Sequence, residues 1–277
     1  MPIFVIARLT IHEAQRRRLL WVALLMGAAF VLVFGVGFHF IQRDIERQAG
    51  MADETSFVSV MLLTAGLYAV SLLVNVVAVL VSVTTVSGEI ESHTIDAIVT
   101  KPIPRWQVIM GKWLGFAVLV LTYLILLVGS LMLIVYLRSG FHMENIALGV
   151  VMMALAALLV LTVSMAGGTR LSTIANGVLT FMLFGLAFLG GLVEQVGALI
   201  RNEAAVNVGI LSSLIMPADS LWKKATAYFQ PSATMNPFEL GPFAAITEPS
   251  NLMIGYAVVY LIVLLAFALW SFSRRDL

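Results

Sequence analysis

Cysteine and charge are the residues this sequence has least of. It contains no cysteine among 277 residues, so it offers neither a disulfide nor a thiolate metal ligand. Charged residues make up only 11% of the chain, whereas a soluble domain carries about a quarter. Hydrophobic residues make up 61%, and the mean hydropathy is +1.02. The composition therefore excludes an ordinary soluble domain and indicates a membrane protein.

Signatures of catalysis are also missing. The sequence has no H-E-x-x-H, no G-x-S-x-G and no phosphate-binding G-x-x-x-x-G-K-[ST]. Gly111-Lys112-Trp113 lacks both the upstream glycine and the following hydroxyl. The four histidines are scattered without metal-ligand spacing, and the net charge of +1 gives no indication of nucleic acid. We therefore expect a non-enzymatic chain that binds no metal, no cofactor and no nucleic acid.

Six apolar stretches are long enough to cross a hydrocarbon core, which takes roughly 20 helical residues. They lack the alternation of a membrane barrel, and an open sheet cannot cross lipid with its backbone unpaired. The sequence therefore predicts an all-α membrane protein with six transmembrane helices. The predicted spans are 19–40, 57–86, 113–137, 146–167, 174–193 and 252–272.

The distribution of lysine and arginine predicts the orientation. An even number of spans places both termini on one side, and that side carries ten of the 16 basic residues. Acidic residues follow the opposite trend, with ten of 15 on the other side. Since cytoplasmic loops are enriched in lysine and arginine, both termini are expected to be cytoplasmic.

The first 18 residues (1–18) predict an amphipathic helix on the membrane surface, ahead of the six-span domain 19–277. Apolar residues share one face at helical spacing and polar residues share the other. Basic residues along and after the helix are expected to meet anionic lipid head groups. The apolar face consists of Ile3, Phe4, Ala7, Ile11 and Ala14, and the basic residues are Arg8, Arg16, Arg17 and Arg18.

The connection 194–251 is the longest on the predicted extracytoplasmic side. Its stretch "PADSLWKKATAYFQP" places an apolar stripe opposite Lys223 and Lys224. This pattern predicts an interfacial helix, and four later prolines prevent any long helix after it. The apolar stripe consists of Leu221, Trp222, Ala225, Tyr228 and Phe229.

No charged side chain falls inside the six spans as predicted. Ion-coupled transporters normally keep ionisable groups at membrane depth, because those groups carry the coupling. This absence argues against a transporter that powers itself. If the chain does work on a substrate, we expect the energy to enter from another chain.

The loop 87–112 is unusually polar for so apolar a chain. Residues 89–99 predict a short amphipathic helix with Glu89, His93 and Asp96 on one face. Two prolines then end that helix, and Pro104 can open a second helix continuous with the third span. The expected arrangement is helix, stiff elbow and helix, which would transmit a push to the span. A solvated re-entry loop without any further role is the simpler interpretation.

This loop resembles the one between the second and third spans of ABC-2 type transporter permeases. The shared pattern is an acidic start, then "KPI-R", then "GK--G". The stretches "FSRRDL" and "MPADSLWKKA" resemble the branch that includes permeases of nitrous-oxide reductase maturation. The loop pattern is carried by Gly88, Glu89, Glu91, Thr94, Asp96, Lys101, Pro102, Ile103, Arg105, Gly111, Lys112 and Gly115.

The resemblance implies a subunit of a homodimeric or heterodimeric permease in a bacterial inner membrane. Two separate ABC ATP-binding subunits would bind ATP and magnesium, and the loop would contain the coupling helix that docks on them. The first and fifth spans would line the dimer seam and the substrate path. The implied ATPase-facing residues are Glu89, Glu91, His93, Thr94, Asp96, Lys101, Pro102, Pro104 and Arg105. The glycines of the seam would be Gly27, Gly35, Gly37, Gly185, Gly190 and Gly191.

Two alternatives remain open from the sequence. ATP hydrolysis could drive a mechanical or assembly function, with 194–251 passing motion to a periplasmic partner. A secondary transporter or channel acting alone is the other alternative, and the uncharged spans argue against it.

Overall fold

A computed structural model describes residues 2–16, 18–47, 52–91, 104–141, 145–229 and 248–274. Within these ranges all regular secondary structure is α-helical, which confirms the predicted fold class. The helices are α1 (Pro2–Arg16), α2 (Arg18–Arg47), α3 (Ala52–Glu91), α4 (Arg105–Ser139), α5 (Ile146–Gly168), α6 (Thr173–Leu199), α7 (Glu203–Ile215), α8 (Ala218–Phe229) and α9 (Asn251–Ser273).

Six of these helices are long and apolar enough to cross a membrane: α2, α3, α4, α5, α6 and α9. They coincide with the six predicted spans, although α3 and α4 extend further than 57–86 and 113–137. Helix α4 begins directly after Pro104 and continues without interruption to Ser139. This agrees with the prediction that Pro104 opens a helix continuous with the third span. Proline cannot donate a helical hydrogen bond, so a helix that starts beside it loses nothing.

Helices α3 and α5 form the centre of the bundle. In α3, 61% of the span window is buried, compared with 11% in α2 and in α9. Helix α5 packs against α3, α4, α6, α8 and α9. The outer helices present large apolar side chains such as Leu32, Val33 and Leu252 away from the protein. This distribution is expected where lipid rather than water surrounds the bundle.

We call the two ends of the bundle proximal and distal. The proximal end holds α1, the first residues of α4 and α6 and the last residues of α3, α5 and α9. The distal end holds the hairpin of α7 and α8. These terms describe position in the bundle, and the cytoplasmic location of the proximal end stays a prediction.

The hairpin at the distal end is one helical segment broken at residues 216–217. Its two helices, α7 and α8, meet at 107°. Helix α7 packs along α6, and α8 turns inward against α5. Tyr256 and Tyr260 of α9 donate their hydroxyls to the carbonyls of Leu214 and Ile215, at the end of α7. These bonds satisfy carbonyls that a helix end would otherwise leave without partners.

Candidate functional site

Helix α1 is fixed to the start of α4 by two glycines of the "GK--G" pattern. A Cβ on Gly111 would lie 2.7 Å from Ile6 Cβ and 2.9 Å from the Ile3 carbonyl oxygen. A Cβ on Gly115 would lie 2.8 Å from the Ala7 carbonyl oxygen. Any larger residue would therefore push α1 away, because these contacts involve backbone atoms. The two glycines form a seat for α1, a role that the sequence pattern alone does not reveal.

The orientation of α1 differs in part from the predicted amphipathic helix. Ala14 is buried as predicted, but Thr10 is buried beside it and Phe4 is 66% exposed. Phe4, Val5 and Leu9 form an exposed apolar strip, because the other apolar face is used against α4. The basic residues Arg8, Arg16 and Arg18 are exposed, whereas Arg17 lies outside the described residues. Contact with the membrane surface stays a prediction.

The predicted coupling loop is described only at its two edges. Glu89 and Glu91 belong to the last turns of α3, so this part continues the second span instead of starting a separate helix. Pro104 is the N-cap of α4, and Arg105 is its first residue. The positions that lie outside the described residues are His93, Thr94, Asp96, Lys101 and Pro102.

Neutral hydrogen bonds connect the helices near the proximal end. Ser82 Oγ of α3 and Ser164 Oγ of α5 are 2.7 Å apart and hydrogen bonded. Trp113 Nε1 of α4 donates to Thr162 Oγ1 of α5 at 2.9 Å. Asn176 Nδ2 of α6 donates to the carbonyl of Ser164 at 2.8 Å. Helix α5 is therefore the common partner of three neighbouring helices.

The spanning helices extend beyond the predicted spans and therefore include charged residues, two of which are buried. Lys112 lies in α4 and is 3% exposed. Glu194 lies in α6, which continues to Leu199 beyond the predicted end at residue 193. Both were placed in connections because a charged residue normally ends an apolar run. Each is accommodated because it finds an interaction partner within the protein.

A buried ionic cluster joins α6 to the hairpin. Lys223 Nζ lies 2.9 Å from Glu194 Oε2 and 3.1 Å from Asp219 Oδ2. The side chain of Lys223 is only 1% exposed, and those of Glu194 and Asp219 are 11% and 12% exposed. Carboxylates thus outnumber the ammonium within this cluster. The cluster fixes α8 to α6, since a buried charge requires its partner.

The helix predicted to be interfacial, α8, packs into the core of the bundle, and its position relative to the membrane surface stays a prediction. Leu221, Trp222 and Phe229 of α8 are buried, and Tyr228 is half-buried. Lys223 and Lys224 are buried as well, so both faces of α8 contact protein. Helix α8 does have the predicted amphipathic pattern, but its polar face contacts carboxylates of the same chain instead of water. The i, i+4 spacing of Asp219 and Lys223 was the local signal for this pairing.

Close helix approach at the distal end depends on glycines. A Cβ on Gly191 would overlap the Asp219 carboxylate, and one on Gly190 would overlap the Ser212 hydroxyl. Gly27 likewise accommodates Tyr123, and Gly35 accommodates Ile134. Among the described residues, no atom lies within 4 Å of a Cβ placed on Gly37 or Gly185. The dimer seam itself stays a prediction.

Across the ranges that the structure describes, no group of three or more His, Asp or Glu side chains is placed to hold a metal ion. What the architecture provides is a bundle of helices long and apolar enough to span a membrane, with a helix packed at one end and a bent helical hairpin at the other. These features define a multi-pass membrane protein.

Comparison with known families identifies this class more closely. The family model "ABC-2 family transporter protein" matches residues 5–277, which is nearly the whole chain. The chain belongs to the ABC-2 transporter family, and it is a transmembrane subunit of an ABC transporter. A search of curated proteins found no significant match. The narrower resemblance to permeases of nitrous-oxide reductase maturation stays a prediction.

Proposed function

We propose that the chain is one half of a dimeric permease in a bacterial inner membrane, moved by ATP hydrolysis in two separate ABC ATPase subunits. ATP and magnesium bind to those subunits, and this chain supplies the path or the moving element. The loop 87–112 docks on an ATPase subunit and receives its motion.

The observation that carries this proposal is the uninterrupted helix α4. It begins at Arg105, within the predicted loop 87–112, and continues through the bundle to Ser139. A helix bends little when its backbone hydrogen bonds are intact, so displacement at Arg105 reaches the distal end. A long flexible connection would instead absorb the displacement.

The position of helix α1 also supports transmission of motion from the loop through α4. It is seated on Gly111 and Gly115, within three turns of the start of α4. A partner that contacts both the loop and α1 would therefore move one continuous unit. The exposed basic residues of α1 add a charged surface beside the loop.

The proposal is tested with the chain purified together with the ABC ATPase subunit that the proposal requires. Replacement of Glu89, Glu91 and Asp96 by alanine is expected to abolish co-purification or to reduce permease-stimulated ATP hydrolysis about tenfold. Loss of a few charge-assisted contacts is enough for that change. The matched control replaces three acidic residues predicted on the opposite side, Asp53, Glu54 and Glu203. If both triple variants behave alike, the loop is not the coupling element.

The same preparation separates the alternatives. A stand-alone transporter would move its substrate in liposomes under an ion gradient without nucleotide. A mechanical function would appear as a distal partner that co-purifies and is released by ATP hydrolysis. Deletion of residues 217–231 cannot test this mechanical function, because the deletion would remove α8, which is part of the core.

A further inference from the structure

A small cavity lies between α3, α6 and α8. Its volume is about 20 Å³, which is enough for one water molecule and too little for an organic ligand. The polar part of its wall consists of Ser71, Asn75 and Asp219. The aromatic and apolar part consists of Tyr68, Leu72, Phe184, Phe188, Ala218 and Trp222.

The polar wall is formed by two helices that meet inside the bundle. Ser71 and Asn75 are four positions apart in α3, so their side chains lie on one face of that helix. Both are buried, with 7% of Ser71 and 4% of Asn75 exposed. Asp219 reaches the same cavity from the first turn of α8. The cavity therefore collects polar groups from α3 and α8 in otherwise apolar surroundings.

The oxygen atoms of this wall have unused capacity to accept hydrogen bonds. Asn75 Oδ1 is buried and has no hydrogen-bond partner in the part of the chain that the structure describes. The Asp219 carboxylate has about four acceptor sites, and the ion pair of its Oδ2 with Lys223 Nζ at 3.1 Å uses one of them. A buried acceptor without a donor costs free energy. These groups therefore require a donor, which the cavity has room to hold.

We propose that the cavity binds one water molecule, which bridges α3 to α8. Water has two O–H donors, and these match the Asn75 amide oxygen and the Asp219 carboxylate. Its oxygen can in turn accept the Ser71 hydroxyl. A metal cation is a poorer occupant, because the Lys223 ammonium already lies beside the same carboxylate and would repel it.

The water would connect the most buried span to the distal hairpin. In α3, 61% of the span window is buried, more than in the other five spans. A bridging water is nearly as good in enthalpy as a direct hydrogen bond, so it adds a polar link between α3 and α8. Binding of this water needs no ATPase, and its failure would leave the proposed coupling untouched.

The test is X-ray radiolytic labelling of the full chain in nanodiscs, read by mass spectrometry. Radiolysis converts bound water into hydroxyl radicals, which oxidise the aromatic side chains beside it. Trp222 lines the cavity and is only 5% exposed, whereas Phe116 is 1% exposed and lies elsewhere in the core. We expect Trp222 to be oxidised and Phe116 to remain unlabelled. Equal protection of both residues would overturn the proposal.

Matched variants locate the water. Asn75→Leu removes the unpartnered oxygen and is expected to reduce labelling of Trp222 to the level of Phe116. Asn207→Leu makes the same change at an exposed position of α7 and is expected to leave labelling unchanged. Ser71→Val, whose added methyl group occupies the cavity, is expected to act like Asn75→Leu and keeps the test valid if that variant does not fold. Undiminished labelling in a folded variant at either cavity position would overturn the proposal.

A salt exchange separates water from a metal cation in the same preparation. Replacement of sodium and potassium by choline is expected to change neither the labelling of Trp222 nor the melting temperature. A melting temperature that rises with sodium or potassium in the native chain, and no longer does so in Asn75→Leu, would assign the cavity to a cation and overturn the proposal.

Discussion

The two ends of the bundle are held together by different interactions. At the proximal end, the connections between α1, α3, α4, α5 and α6 include neutral hydrogen bonds and glycine contacts, with buried Lys112 and the bond from Arg170 Nε to Ser271 Oγ beside them. At the distal end, buried Lys223 connects α6 to the hairpin through two carboxylates. A neutral hydrogen bond between membrane helices contributes only about 0.6 kcal/mol on average. A buried charge that loses its partner costs several times more.

Because of this difference, we expect the helices at the proximal end to shift more easily than those at the distal end. Neutral bonds between α3, α4 and α5 can be exchanged singly at small cost, so these helices can move relative to one another. The ionic cluster cannot be separated at small cost in free energy, because moving Lys223 away from Glu194 leaves charged groups without partners in an apolar interior. We therefore expect the neutral hydrogen bonds near the proximal end to exchange more readily than the ionic cluster at the distal end.

The largest effect is expected for Lys223→Met. It leaves Glu194 and Asp219 without their ammonium and should cost about 3–5 kcal/mol, measured as loss of folded protein or a lower melting temperature in detergent. The control is Lys224→Met, whose partner Glu248 is 62% exposed and can be solvated; about 1 kcal/mol or less is expected there. Equal destabilisation by the two variants would refute the anchoring role of the cluster.

An intermediate effect is expected for Gly115→Ala at the proximal end. The added Cβ would lie 2.8 Å from the Ala7 carbonyl oxygen and 2.9 Å from Thr10 Cβ, so α1 must move. Overpacking of this kind costs about 1–3 kcal/mol. We expect faster proteolysis within α1 and weaker stimulation of the ATPase, with the bundle still folded.

Gly129→Ala is the control for this variant. It introduces the same methyl group on the same helix, at a position where no described residue has an atom within 4 Å of the added Cβ. It should change neither proteolysis nor ATPase stimulation. If α1 remains equally protected in both variants, the glycine seat is not what holds it.

The smallest effect is expected at the pair of Ser82 and Ser164. A double-mutant cycle with alanine at both positions should give a coupling free energy of about 0.6 kcal/mol, measured by chemical unfolding in mild detergent. The corresponding cycle for Lys223→Met and Glu194→Gln should give a coupling several times larger. Similar values from the two cycles would remove the distinction between the ends.

The sequence predicted the elements well and their partners poorly. Hydropathy was enough to predict the six helices, and the proline positions were enough to predict that α4 starts after Pro104. Both predictions depend only on local composition. The role of Gly115 could not be predicted, since its contact lies about a hundred residues away in α1. Glu194 was placed outside the fifth span for the same reason: its partner Lys223 follows 29 positions later.

The two tyrosine hydroxyls that contact the end of α7 also impose an order on synthesis. The carbonyl acceptors at Leu214 and Ile215 leave the ribosome before their donors, which follow 42 and 45 positions later in the chain. The hairpin therefore cannot reach its final form until the last span has been translated and inserted.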